Sequence, residues 1–269
     1  MNDKNKIAVI SRNDCSPPIK PAGWWISACI VGKSDSLKGK KLGQIIDSHD
    51  VVVRVNFPPI LGYEEDVGTK TNHVVLHAWV FRHLMKHQIE FVREWLSRMD
   101  AHGGEKKVCV ASTSGFWEED GNSYLAGRNW SLADKKQTLE QLKLECSAHG
   151  VTVEKHYFSE AVNSINKLCH FFVGRPKVHG LFTGTQTVMD YIGKFKNLSM
   201  VGMGNSETHE KHMSDDAAIP TVDVGYYFAD DPEVKQKTRK PISRNKYFEY
   251  DVFCLEQCVK RGHVKRLDD

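Results

Sequence analysis

Small, cationic and hydroxyl residues gather directly behind one short apolar run. Ala28-Cys29-Ile30-Val31 ends at Gly32, and Lys33-Ser34-Asp35-Ser36 follows. A run of this length closed by glycine reads as a buried strand. The residues after it make a turn whose backbone N–H groups, with Lys33 and Ser34, can meet an anion at the start of a helix. Neither common phosphate-binding spacing is present. The dinucleotide fingerprint lacks its second and third glycines. Six residues separate Gly32 from Gly39 where a Walker loop has four, and Lys40 is followed by Lys41 instead of Ser or Thr. From turn chemistry alone, a strand-helix turn without a ligand stays open. A second turn, Gly180 to Thr185, contains Thr183-Gly184-Thr185 ahead of an apolar helix. Glycine there brings backbone close to a ligand, and Thr185 can offer an N–H and a hydroxyl. Tyr226 and Tyr227 carry phenols that can donate to a phosphate oxygen, or they pack as core aromatics beside a strand. His209 and His212 have an H-x-x-H spacing but no cysteine or carboxylate at ligand spacing, so no metal site is read there.

The elements that must position these residues alternate. Leu37, Leu42, Ile45 and Ile46 are the apolar positions of a short helix ended by Asp47-Ser48-His49-Asp50, and Val51 to Asn56 is the next strand. The unit is β-turn-α-β, the part list of a nucleotide-binding half-domain. Ile7 to Ile10 reads as a short edge strand before Pro17, Pro18 and Pro21. His73 to His77 reads as a third strand, Phe81 to Met99 as one amphipathic helix, and Lys107 to Ala111 as a fourth strand. Ser112 to Trp130 has no period; Phe116, Trp117, Tyr124 and Trp130 either line a sugar site or tuck this loop onto the core. Leu132 to His149 is a helix with Gly150 at its C-cap, Val151 to Phe158 a strand, and Ser159 the N-cap of a helix to Val173. Leu198 to Val201 is a strand. Lys246 to Gly262 is a helix with Phe248, Val252, Leu255 and Val259 facing inward. The expectation is an α/β fold: one Rossmann-like domain over residues 24–269, a mostly parallel sheet flanked by helices, after a leader at 1–23.

The chain has 269 residues, 40% apolar and 26% charged, ordinary values for a soluble globular protein. A formal net charge of +3 gives no strong electrostatic case for nucleic acid. Lys38, Lys40 and Lys41 form a solvated face or attract an anionic substrate. The longest apolar stretch, near Trp24 to Val31, falls far short of the roughly 20 residues that span a bilayer, so no transmembrane segment is expected. Seven cysteines do not form a complete set of pairs and sit on core-like faces. The short polar leader favours a cytoplasmic setting over a chain whose anchor was cut away.

The first turn and its surroundings carry more than turn chemistry. Val31-Gly32, Ser34, Leu37-Lys38-Gly39, Gly43, Ile46-Asp47-Ser48-His49-Asp50, Arg54, Asn56, Gly62 and Asp66-Val67-Gly68-Thr69-Lys70-Thr71 form a long, ordered, gapless series. It resembles the large sialylmotif of glycosyltransferase family 29, the animal-type sialyltransferases. Lys177 to Gly204 resembles the small sialylmotif, with Leu181 and Phe182 in place of its Pro and Ser ahead of Thr183-Gly184. Thr221 to Phe228 resembles the third motif, whose His or Tyr reaches the donor phosphate. Arg244 to Glu249 resembles the last, His-x-x-x-x-Glu, with Arg244 where the family has its proposed catalytic His. The family's disulfide between large and small motifs has no counterpart, because its positions fall at Ala28, beside Cys29, and near Phe195.

The resemblance implies a GT-A-like variant of the Rossmann-like fold. It also implies an inverting, metal-independent transfer of sialic acid or a related keto-sugar acid. The donor is CMP-activated and the acceptor a hydroxyl of a glycan or glycolipid. The donor is a substrate, and no cofactor is implied. Charge builds on the departing phosphate, so the site needs donors aimed at it and a base for the acceptor proton. Gly32, Lys33, Ser34, Thr183, Gly184, Thr185, Tyr226 and Tyr227 are the candidates for the phosphate, and Asn56 for the cytidine or the sugar. Lys33 replaces the family's usual Asn. Arg244 stays protonated and is a poor base, but it can bind the sugar carboxylate or the phosphate. His209, His212, His77, a carboxylate or water is left as base, His209 or His212 first, with a solvent-facing loop as the other reading of those two. Two alternatives stand beside transfer of sialic acid: a CMP-Kdo-using transferase on the same fold, and a CMP-binding protein without catalysis.

Overall fold

A computed structural model describes residues 27–34, 37–112, 130–173, 181–203 and 244–268. The apolar runs form strands β1 (Ser27–Val31), β2 (Val51–Val55), β3 (His73–His77), β4 (Lys107–Ser112) and β6 (Asn197–Val201), with β5 (Thr152–Tyr157) and β7 (Lys265–Arg266) at the two edges. They make one seven-stranded sheet in the order β5-β4-β3-β2-β1-β6-β7. All six pairings are parallel, with Ala28 opposite Val51 on one side of β1 and Leu198 on the other. Near-continuous β-branched runs suit central strands because both sheet faces are covered. The α/β, Rossmann-like expectation is met by this sheet and its flanking helices.

Among the described residues the α-helices are α1 (Gly43–Asp47), α2 (Glu64–Val67), α3 (Ala78–His87), α4 (Ile89–Ser97), α5 (Leu132–Ser147), α6 (Glu160–Val173), α7 (Thr183–Tyr191) and α8 (Arg244–Lys260). Leu84, Val92, Leu96 and Leu142 of α3, α4 and α5 pack with Val74 and Val108 on one side of the sheet. Val162, Val188 and Leu255 of α6, α7 and α8 pack with Ile30, Val53 and Met200 on the other. A smaller cluster around Leu37, Ile46 and Val67 closes the β1 end.

Three expectations need correction. The single helix over 81–99 is two, broken at Gln88, whose φ of −140° and ψ of 41° are not helical. The apolar spacing runs on through the break, so Leu84 and Val92 enter the same cluster and periodicity alone hides it. Ile45 is exposed, because α1 is barely more than one turn and buries only Gly43 and Ile46. Strand β7 was not foreseen, since two basic residues carry no period-two signal. Elsewhere Ser131 caps α5 through a reciprocal pair with Asp134, and the Val162 N–H reaches Ser159 Oγ at 3.4 Å. The expected edge strand at 7–10, the leader and most of the 112–130 loop lie outside the described residues. Trp130 is described: it packs on Phe81, and Arg82 lies 5.3 Å over its ring, so it tucks the chain onto the core. Among the described residues no helix is long and apolar enough to cross a membrane.

Candidate functional site

The strand order reverses between β1 and β6: β2 to β5 run outward on one side, and β6 returns to pair with β1 on the other. In an open parallel sheet the two connections leaving such a point diverge, and a crevice opens at the carboxyl ends of the strands. Here those ends are Gly32 and Gly202. The turns after β1 and β6 are tied together, with the Gly32 N–H donating to Val201 O at 2.8 Å and the Ser34 N–H to Gly202 O at 3.0 Å. A Cβ on Gly32 would lie 2.2 Å from Gly202 O, so glycine is required by this approach. The β6 turn is fixed in turn by the C-terminal segment. Asp268 Oδ2 accepts from the Gly202 N–H at 2.9 Å, and Arg266 donates to Met203 O at 3.1 Å.

Gly184 at the start of α7 reaches the same place. The sulfur of Met203 would sit 3.0 Å from a Cβ on Gly32 and 2.8 Å from one on Gly184. The two glycine turns, distant in the chain, therefore flank one thioether. An open cavity of about 110 Å³ lies beside the first of these turns, lined by Gly32, Lys33, Ser34, Lys38, Arg54 and Asp66 among others. That volume suits a phosphate or carboxylate group and is smaller than a whole nucleotide sugar.

Arg54 is the cationic floor of this region. It is wholly buried, and burial lowers its pKa to about 10, which leaves it charged at neutral pH. Its NH2 donates to the carbonyls of Val67, Gly68 and Lys70, and its Nε to Thr71 Oγ1 at 2.8 Å. NH1 has no hydrogen-bond partner among the described residues. Two carboxylates complete the scaffold. Asp47 accepts from the N–H groups of Thr69 and Lys70, and Asp66 from those of Gly39 and Lys41. These backbone hydrogen bonds hold the exposed Asp66 below the usual carboxylate range. His49 bridges Ser199 Oγ at 3.0 Å and Ile45 O at 2.9 Å. Asp47, Arg54 and Asp66 of the matched series thus hold neighbouring backbone in place.

The predicted site residues divide accordingly. Gly32, Lys33 and Ser34 line the cavity. The Gly32 and Ser34 N–H groups donate to Val201 O and Gly202 O, and the first α-helix described after this turn, α1, begins at Gly43. Asn56 has a φ of +59°, and its Oδ1 accepts from the His77 N–H at 2.8 Å, so this oxygen fixes the end of β3. Thr183, Gly184 and Thr185 do open α7, as expected. The Thr185 hydroxyl, however, is buried and donates to Asp251 Oδ2 at 2.5 Å, while the Phe182 N–H donates to Asp251 Oδ1 at 2.8 Å. Asp251, on α8, is thus the remote cap of α7. Nothing in the sequence pointed to it, because the two segments are far apart in the chain. Arg244 is the first residue of α8. His209, His212, Tyr226 and Tyr227 lie outside the described residues. Cys29, Cys109, Cys146, Cys254 and Cys258 are buried free thiols, and Phe195 stacks on Tyr191 where the family's second bridging position falls.

Comparison with known proteins places the likeness in the same region. Residues 6–100 match the family model of glycosyltransferase family 29 (sialyltransferase). The CMP-N-acetylneuraminate-beta-galactosamide-alpha-2,3-sialyltransferase 1 of Gallus gallus is 46% identical over 55 residues, 20% of this chain and 16% of its own length. The Homo sapiens protein of the same name is 47% identical over 55 residues, again 20% and 16%. The type 2 lactosamine alpha-2,3-sialyltransferase of Mus musculus is 55% identical over 42 residues, 16% of this chain and 13% of its own. The matched stretch is therefore about a sixth of these relatives. A crystal structure of a mammalian sialyltransferase aligns over 90% of this chain and 69% of its own, at a TM-score of 0.47 and 16% identity, too distant to add to the sequence match. What this chain shares with glycosyltransferase family 29 is the segment 6–100, which contains the β1 turn, the paired aspartate clamps and the buried arginine.

Proposed function

We propose that the protein is a glycosyltransferase that moves sialic acid, or a related keto-sugar acid, from a CMP-activated donor to a glycan hydroxyl. The observation that carries the reading is the convergence of Gly32 and Gly184 on Met203 at the β1/β6 switch point, within and beside the segment that matches the family. Lys33, Ser34 and the buried guanidinium of Arg54 line a cavity sized for a phosphate and bring positive charge and donors to it. Inversion follows if the acceptor hydroxyl attacks the anomeric carbon opposite the departing CMP, and donors on the phosphate stabilise the charge that grows there. No metal is needed if those groups carry that charge.

A thermal-shift series with CMP, UDP and NAD tests the donor. Stabilisation by CMP above the other two is expected; preference for UDP or NAD removes the reading. A specific observation favours a second reading, CMP binding without transfer: Arg244 stands where the family has its base, and arginine does not accept a proton at neutral pH. Slow release of CMP from CMP-sialic acid separates the two. Alanine at His209, His212 and His77 in turn then finds the group that takes the acceptor proton, as the variant whose transfer rate falls while donor affinity holds.

A further inference from the structure

A second cluster of reactive side chains lies away from the switch point, on the β4–β5 edge of the sheet. Parallel register sets Cys109 of β4 beside Glu154 of β5, and Ala111 beside His156. Paired residues share a face, and Glu154 and His156 share it because strand side chains alternate. That face is the one α7 covers, since Cys109 belongs to the cluster of Tyr191 and Val188. One ligand atom each from Cys109, Glu154 and His156 lie within 4.8 Å of one another. The Cys109 thiol already touches Glu154 Oε1 at 3.2 Å. Donors around a tetrahedral zinc ion with bonds of about 2.0–2.3 Å stand roughly 3.3–3.8 Å apart, so side-chain adjustment of Glu154 and His156 closes the set without moving either strand.

The surroundings are those of an oriented ligand. His156 Nε2 lies 3.1 Å from Asp190 Oδ2, and with the proton on Nε2 the lone pair a metal needs is on Nδ1. Asp190 is itself fixed, by the Ser159 N–H at 2.9 Å and by Lys194 Nζ at 2.6 Å. The ion pair of Lys107 with Glu154 at 3.5 Å opposes a second cation here and moderates affinity.

We propose that Cys109, Glu154 and His156 form a binding site for a zinc-class divalent ion, with Asp190 as the outer carboxylate that orients the imidazole and water in the fourth position. The thiol is replaced by thiolate as the ion enters, and its proton leaves to solvent. Thiolate, imidazole and carboxylate in one set select zinc over magnesium or calcium, which prefer oxygen alone. The ion would staple edge strand β5 to β4 and, through Asp190, to α7. This inference is independent of the sugar-transfer reading.

Cobalt(II) titration of the reduced full chain is the direct test, because a cobalt–thiolate bond gives a near-ultraviolet charge-transfer band. One equivalent with that band is expected, displaced by zinc, with release of about one proton per ion near pH 7. Cys109→Ser should abolish the band, His156→Gln and Glu154→Gln should weaken binding at least tenfold, and Asp190→Asn should weaken it about 10–100-fold. Lys107→Gln should tighten it. Glu154, with 49% of its side chain exposed, tolerates substitution even if Cys109→Ser does not fold. No thiolate band in the unaltered chain, or equal affinity in Glu154→Gln and His156→Gln, overturns the site.

Discussion

Asp251 is buried, and desolvation lifts its carboxyl to about 7 from its ordinary value of 3.8, against the opposing hydrogen bonds from Thr185 and the Phe182 N–H. A carboxyl raised on folding binds more protons in the native than in the unfolded state between those two values. Stability therefore falls as pH rises from about 4 to 7 and is flat beyond. The carboxyl keeps its place because it caps α7 from another helix. Asp251→Asn keeps an oxygen for the Phe182 N–H and an amide for the Thr185 hydroxyl but removes the titration. The expected result is a smaller pH dependence of Tm between 5 and 8, with Tm at pH 8 unchanged or higher. Asp251→Ala instead strands a buried N–H and a hydroxyl and should cost about 1–3 kcal/mol in urea denaturation at either pH. Equal pH dependence in Asp251→Asn and the unaltered chain would assign the titration to another group.

At the scale of elements, the two glycine turns differ in what surrounds them. A Cβ on Gly32 meets the Gly202 carbonyl, which the sheet holds in place; a Cβ on Gly184 meets the end of a methionine side chain, which can rotate away. Gly32→Ala should therefore cost about 1–3 kcal/mol and disturb CMP binding, while Gly184→Ala should leave stability within about 1 kcal/mol. Urea denaturation of the pair checks this, and a larger loss for Gly184→Ala would mean that the β1 and β6 turns are not locked to each other. The same contrast explains what could be read in advance. Strands β1 to β4 and β6 were legible because Ala28-Cys29-Ile30-Val31, Val51-Val52-Val53 and their partners are apolar runs of strand length, bounded by turn residues. The β1 turn stands out in the sequence because its neighbours form a long ordered series. The scaffolding within that series was not legible: Asp47, Asp66 and Arg54 are each engaged by backbone groups of a loop elsewhere in it. Strand β7, the break at Gln88 and the Asp251 cap depend on contacts between segments far apart in the chain or on a single dihedral, which local pattern does not encode.

Across the whole molecule, the sheet separates two chemistries. The crevice at the carboxyl ends of β1 and β6 gathers Gly32, Gly202 and Met203, whereas the Cys109, Glu154 and His156 cluster sits at the β4–β5 edge, with β2 and β3 between. A nucleotide held at the switch point touches connections that leave β1 and β6, so it should slow amide exchange there and leave the far edge unaffected. Hydrogen exchange with and without saturating CMP is expected to show protection at 31–34, 183–186 and 200–203, and none at 107–112 or 152–157. Zinc should give the reverse pattern, with protection at 107–112, 152–157 and 187–191. The β1 amides of Ala28 to Ile30 serve as internal control, since they are buried in the sheet centre and exchange by global opening under either condition. CMP protection confined to the β4–β5 edge would place the nucleotide away from the β1/β6 crevice and remove the sugar-transfer reading. Zinc protection at 31–34 would instead put the ion on the phosphate side of the sheet.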